Sequence, residues 1–171
     1  LNALRRAGGC FEIQQDGIRF FYEGTLTSVA IETTVHPGFM TDWQPPFTVL
    51  LTQADGMSVV HETVFQDRFV YVSQLQKMGA DIQTYDSCMG TSSCRFANSG
   101  YLHSAVVRGP SKLRGADIDI PDLRAGFTYL IAAILAEGRS VIRGVEELDR
   151  GYEAIDNSLC SLGASISRQS V

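Results

Sequence analysis

Five side chains carry most of the chemistry this sequence offers: Asp42, Arg68, Asp122, Arg124 and Arg150. Asp42 and Asp122 each stand just ahead of an apolar, helix-like run, while Arg68 and Arg150 fall at the start of a second helical segment. An aspartate at a helix start is first of all a cap, because its oxygen takes free N–H groups of the first turn. Arginine has no such use there, since a cation at a helix N-terminus opposes the macrodipole. Three converging guanidinium groups would form a receptor for phosphate and carboxylate, which they bind through paired hydrogen bonds. Asp42 beside such a cluster could take a proton from a hydroxyl. His36, in the loop before Asp42, is a second acid–base candidate but reads more simply as a polar loop residue. His61 and His103 fall in or near strand-like segments and read as structural, and Trp43 as packing a helix start.

These residues need elements to hold them. The chain has 171 residues, 44% of them hydrophobic and 19% charged, enough for a real core. Its net charge of −5 argues against a nucleic-acid partner. The longest apolar run, Phe127 to Ala136, is ten residues, too short to span a bilayer. No secretory signal is visible at the start. The expectation is a soluble, cytoplasmic protein without a membrane partner. The sequence opens on Leu1 within a helix-like run, which suggests a fragment.

A repeat of about eighty residues organises the chain. Leu4-Arg5-Arg6-Ala7-Gly8, Leu75-Gln76-Lys77-Met78-Gly79 and Leu159-Cys160-Ser161-Leu162-Gly163 each read as a helix end running into a short strand. In step with these, Asp42 and Asp122 are 80 apart, Gly56 and Gly138 are 82 apart, and Arg68 and Arg150 are 82 apart. One unit reads as strand 28–34, helix 42–54, strand 58–63, helix 67–78, strand 80–85 and strand 101–108. The next reads as strand 116–120, helix 122–137, strand 139–143, helix 149–162 and strand 164–168. Residues 1–27 are the tail of an earlier unit, 28–110 a βαβαββ unit, and 111–171 a βαβαβ unit lacking its last strand. All belong to one α/β (α+β) domain. The first helix of each unit is apolar all round and must be buried, with mixed sheets outside.

Of the four cysteines, only Cys88 and Cys94 are close, as C-x5-C. The nearest further ligand is His103 and no fourth is obvious, so the pair reads as a local disulfide or as two free thiols. No metal and no cofactor are expected.

Four stretches resemble successive motifs of the UDP-N-acetylglucosamine 1-carboxyvinyltransferase family of enolpyruvyl transferases. They are His36-Pro37-Gly38-Phe39-Met40-Thr41-Asp42-Trp43-Gln44, Glu62-Thr63-Val64-Phe65-Gln66-Asp67-Arg68-Phe69, Asp122-Leu123-Arg124-Ala125-Gly126 and Asp149-Arg150-Gly151-Tyr152-Glu153. The resemblance implies an inside-out α/β barrel domain, one of two, each built of βαβαββ units with helices inside. It implies transfer of enolpyruvate from phosphoenolpyruvate to UDP-N-acetylglucosamine, the first committed step of peptidoglycan synthesis. Asp42, Asp122 and Arg150 take catalytic roles by this likeness. Val64, Arg68, Leu123 and Arg124 bind substrate, with Arg68, Arg124 and Arg150 around phosphoenolpyruvate. The family's reactive cysteine and its lysine–asparagine pair belong to the N-terminal domain, which becomes the expected partner, and the role of that cysteine is not carried onto Cys10. The chain alone is thus expected to be inactive. A non-catalytic relative that binds an anion or a partner is the alternative. The stretch from Asp86 to Ser104 is longer than the usual connection.

Overall fold

The computed structural model describes residues 1–91 and 94–169. The three Leu-x-x-x-Gly segments end their helices in one way. Gly8, Gly79 and Gly163 take a left-handed backbone, with φ of 85°, 100° and 98°. Each glycine N–H donates to the carbonyl three residues back (Arg5, Gln76, Cys160) at 3.0, 2.9 and 2.9 Å. The following N–H donates to the leucine carbonyl (Leu4, Leu75, Leu159) at 2.9, 3.0 and 3.0 Å. This paired stop satisfies the last carbonyls and needs a residue without a Cβ. The sequence repeat is therefore a repeat of backbone geometry.

The first piece is helix α1 (Asn2–Arg6) followed by β1 (Cys10–Ile13) and β2 (Ile18–Phe21). The two strands form an antiparallel hairpin with Ile13 opposite Ile18. Gln14 N–H closes the turn on the Gly17 carbonyl at 2.8 Å.

The middle unit runs β3 (Ala30–Glu32), α2 (Gln44–Leu51), β4 (Gly56–His61), α3 (Val72–Lys77), β5 (Asp81–Tyr85) and β6 (Ser104–Gly109). Its strands make a mixed sheet in the order β3-β4-β6-β5. β3 runs parallel to β4, and β6 is antiparallel to both neighbours. The expected helix over 67–78 starts only at Val72, because residues 66–71 form turns with Asp67 at φ 52°. Arg68 thus leaves a turn, not a helix start.

The last unit pairs β7 (Asp117–Asp119) in parallel with β8 (Val141–Arg143), joined by α4 (Leu123–Leu135). The helix expected over 149–162 is broken into α5 (Glu146–Asp149) and α6 (Ile155–Ser161), with Ala154 left-handed at φ 45° between them. Residues 164–168, expected as a strand, join no ladder among the described residues. The three sheets have two, four and two strands, and none closes into a barrel among the described residues.

α2 and α4 pack against each other inside, as their all-round apolar character requires. Leu51, Tyr71, Leu75, Met78, Ile118 and Tyr129 are fully buried there. Tyr71 donates its hydroxyl to Thr48 Oγ1 at 2.9 Å. Burial holds the Tyr71 phenol well above its ordinary pKa and pushes Tyr129 up to about 12, with the Asp122 charge adding to the latter. The last turn of α4 emerges, leaving Ile134 and Leu135 exposed. No helix among the described residues is long and apolar enough to cross a membrane.

Candidate functional site

The first unit's acid does not cap its helix. Asp42 lies in a one-turn 3-10 segment, Thr41–Trp43, ahead of α2, and no side chain caps either element. The reason is local: of the two N–H groups that its side chain would reach, that of Gln44 already donates to the Thr41 carbonyl and Pro45 has none. The Asp42 carboxylate instead accepts two guanidinium groups on one oxygen. Arg68 Nη2 reaches Oδ1 at 2.5 Å and Arg124 Nε at 3.0 Å. Arg68 is 7% exposed and also donates to the Thr41 carbonyl at 3.2 Å. Its Nε is buried with no hydrogen-bond partner among the described residues.

Phe65 lies under both cations, its ring centroid 5.2 Å from the Arg68 guanidinium carbon and 5.7 Å from that of Arg124. Charge repulsion between the arginines is offset by the shared carboxylate and by this ring face. Phe65, Arg68, Tyr71, Asp122 and Arg124 line a cleft of about 230 Å³. Asp42 is itself 62% exposed, so an incoming anion can replace it on the guanidinium groups without a core rearrangement.

Asp122 does cap its helix. Its Oδ1 accepts Arg124 N at 2.8 Å and Ala125 N at 3.0 Å, which fixes the first turn of α4 and aims Arg124 toward Asp42. Leu123 packs on Gly151, where a Cβ would come within 2.8 Å of its side chain. Arg150 lies apart from the cluster. It ends α5, pairs with Glu147 Oε2 at 2.7 Å and is 70% exposed. The expected convergence of three arginines is thus a convergence of two, because the second unit's helix begins at Glu146, three residues earlier than expected. Asp149 is likewise no cap: Arg168 donates to its two oxygens at 2.6 and 2.8 Å and holds its carboxyl below the ordinary range. Both neighbouring aromatics are engaged, Tyr152 stacking on Phe127 at 4.8 Å. His36 is exposed, and Trp43 is half-exposed with its ring edge-on to Phe39.

Val64 presents its backbone to the loop's own framework. Its N–H donates to Glu62 Oε1 at 2.8 Å, and its carbonyl accepts the Arg95 guanidinium. Glu62 went unnoticed as a site residue although it opens the Glu62-Thr63-Val64-Phe65 stretch. Fully buried, its carboxylate accepts from Thr33 Oγ1 (2.8 Å), Thr41 Oγ1 (2.9 Å), Val64 N (2.8 Å) and Phe65 N (2.8 Å). Four donors make a buried charge tolerable. They also tie the turn that carries Phe65 to the segment that carries Asp42. The usable signal was an acid directly after an apolar strand, where a solvated residue is out of place.

The chain can be set beside known proteins. The profile of the EPSP synthase (3-phosphoshikimate 1-carboxyvinyltransferase) family matches residues 2–159. The UDP-N-acetylglucosamine 1-carboxyvinyltransferase of Protochlamydia amoebophila is 52% identical over 168 residues, 98% of this chain and 36% of that protein. The protein of the same name from Chlamydia muridarum is 51% identical, over 97% of this chain and 38% of its own length. The chain therefore spans little more than a third of these relatives. Among solved structures, the enolpyruvyl transferase NikO from Streptomyces tendae superimposes with a TM-score of 0.79 at 27% identity, over 97% of this chain and 35% of that one. An EPSP synthase from Acinetobacter baumannii, with a TM-score of 0.67 at 18% identity over 98% of this chain and 36% of that one, shares the fold.

Proposed function

The chain belongs to the EPSP synthase (3-phosphoshikimate 1-carboxyvinyltransferase) family, and from that premise we propose that it is a substrate-binding part of an enolpyruvyl transferase acting on phosphoenolpyruvate and UDP-N-acetylglucosamine. The carrying observation is the joint placement of Arg68 and Arg124 on Asp42 over the Phe65 ring. Two guanidinium groups held on one side of a cleft suit a ligand that carries both a phosphate and a carboxylate. The acceptor assignment leans on the names of relatives about half identical to this chain.

In this reading phosphoenolpyruvate displaces the Asp42 carboxylate from the arginines. Asp42 is then free to take the proton of the acceptor hydroxyl as that oxygen bonds to C2 of phosphoenolpyruvate and C3 gains a proton from an acid on the other wall of the cleft. The adduct loses a C3 proton and phosphate to leave the enol ether. The arginines stabilise charge on phosphate and carboxylate through both steps. Val64 and Leu123 line the substrate edge, Asp122 positions Arg124, and Arg150 joins the site by leaving Glu147. The reactive cysteine and the rest of the cleft come from an N-terminal domain packed against this one. Such an enzyme works in the bacterial cytoplasm and serves peptidoglycan synthesis, and through it cell shape and division.

The test is phosphate release from phosphoenolpyruvate by the full-length protein that contains this chain. Release is expected with UDP-N-acetylglucosamine and not with shikimate 3-phosphate. The reverse preference would reassign the acceptor. Binding of phosphoenolpyruvate without release under either condition would favour a non-catalytic anion-binding relative. The 171-residue chain alone is expected to show no turnover.

A further inference from the structure

The long connection between β5 and β6 carries Cys88 and Cys94, and it folds back over the ends of two strands. His61 is the last residue of β4 and His103 immediately precedes β6. In the ladder His61 lies opposite Ser104, so the two histidines meet at one end of the sheet, with ring centroids 5.6 Å apart. One ligand atom from each of His61, Cys88, Cys94 and His103 falls in a group whose members all lie within 4.8 Å of one another.

We propose that His61, Cys88, Cys94 and His103 form a four-coordinate structural zinc site that pins this connection to the sheet. The donor set is the first argument. Two thiols with two imidazoles match the soft, borderline character of zinc and leave no open position for catalysis. Zinc–sulfur bonds of about 2.3 Å and zinc–nitrogen bonds of about 2.0 Å place tetrahedral ligand atoms roughly 3.3–3.8 Å apart. Cys88 Sγ and His103 Nε2 already stand 3.3 Å apart. The remaining spans close with about 1 Å of side-chain movement.

The second argument is an unsatisfied buried group. His61 is fully buried, and neither ring nitrogen has a hydrogen-bond partner among the described residues. A buried imidazole that makes no hydrogen bond carries a free-energy cost, which the ion-pair contact with Glu32 offsets only in part. A metal bond removes the deficit. The outer shell is also in place. His103 Nδ1 lies 2.7 Å from the Tyr101 carbonyl, which fixes its proton there and leaves Nε2 for a metal. The Glu32 carboxylate is 3.6 Å from His61 Nδ1 and accepts Thr91 N from the same connection at 2.9 Å. At Gly90 the loop comes so close that a Cβ would stand 1.9 Å from His61 Nδ1, so the backbone at this residue is fitted to the ring.

The site has a mechanical consequence. Arg95 follows Cys94 and donates to the Val64 carbonyl, while Glu62, next to His61, holds Val64 N. A metal at this point fixes both anchors of the Val64 turn.

The test uses the full-length protein, purified without chelator in reductant. Stoichiometric zinc is expected by elemental mass spectrometry. It should fall to background in Cys88→Ser and in Cys94→Ser but stay in Cys160→Ser, whose thiol lies elsewhere in the fold. Replacement by Co²⁺ should give the intense visible bands and thiolate charge-transfer absorption of a tetrahedral site in wild type, lost in Cys88→Ser. The wild-type cobalt spectrum is by itself a readout that needs no variant to fold. Zinc and cobalt that bind below stoichiometry and indifferently to these substitutions would overturn the proposal. So would an intact mass showing a Cys88–Cys94 disulfide in protein that is folded and metal-free.

Discussion

Asp42 and Asp122 hold the same place in two successive repeats and do different work. Asp122 spends its carboxylate on the backbone, capping α4 through Arg124 N and Ala125 N. Asp42 has no such duty, because the Gln44 N–H is taken by the Thr41 carbonyl and Pro45 has none, and its carboxylate goes to Arg68 and Arg124. The arginines diverge in parallel: Arg68 is nearly buried in the cluster, and Arg150 is solvated beside Glu147. A repeat thus copies its helix stops, while residues beside the acid decide which copy becomes a site. The cleft is then built across copies, with Asp42 and Arg68 from one and Arg124 from the next.

The sharpest way to break this contrast is the same conservative change at both positions. Asp42→Asn keeps an oxygen for the arginines but cannot take a proton. In the full-length protein its kcat/KM is expected to fall about 10²–10⁴-fold, the range for loss of a general base. Its thermal midpoint should barely move. Asp122→Asn should lose less, since asparagine caps a helix about as well as aspartate. Equal losses at the two positions in steady-state assays would mean that the cap and the hub are not distinct.

The framework that separates the two aspartates can be attacked through Glu62. Glu62→Ala strips one acceptor from four donors, two of them backbone N–H groups of the Val64–Phe65 turn. A loss of about 3 kcal/mol in denaturant-measured stability is expected, in line with breaking a buried charged network. The remaining folded protein should show a raised KM, because Phe65 and Thr41 are no longer tied together. A change under about 0.5 kcal/mol would show that the carboxylate is dispensable.

A smaller effect is expected where the acid only caps. Asp122→Ala should cost about 1 kcal/mol of stability, the usual value of an N-cap, and thermal denaturation against Asp122→Asn isolates that term. If alanine costs nothing, α4 is held by packing alone and Arg124 needs no help from its own helix start.

Much of this arrangement was readable before any coordinates. The three glycine stops, the βαβαββ order and the buried α2–α4 pair follow from local spacing, since each depends on backbone rules within a few residues. The Asp42–Arg68–Arg124 meeting was anticipated in kind, because arginines at those points served no helix. What stayed hidden depends on distance in sequence. Glu62 is a site residue only because Thr33 and Thr41 arrive from another segment. The C-x5-C pair lacked a fourth ligand until β4 brought His61 beside His103. Arg150 was misplaced for a local reason: left-handed Ala154 splits one expected helix into two and moves Arg150 from a helix start to a helix end.

The weakest expected effect tests whether the second unit has any charge cluster of its own. Arg168 holds Asp149 through both carboxylate oxygens and also reaches Asp156 at 3.1 Å. The guanidinium lowers the Asp149 pKa below its ordinary value of 3.8. A carboxyl with a depressed folded-state pKa contributes stability that is fully present above the ordinary value and is lost as pH falls through the folded one. Both partners are exposed, so salt screens the pair and the contribution is small. The stability gap between wild type and Arg168→Ala should therefore be constant near neutral pH and shrink below pH 3.8, and high salt should narrow it at neutral pH. A gap that survives acid and salt unchanged would mean that Arg168 fastens this segment by packing its stem. The second unit would then hold its motif acid without electrostatics, and the contrast with Asp42 would be complete.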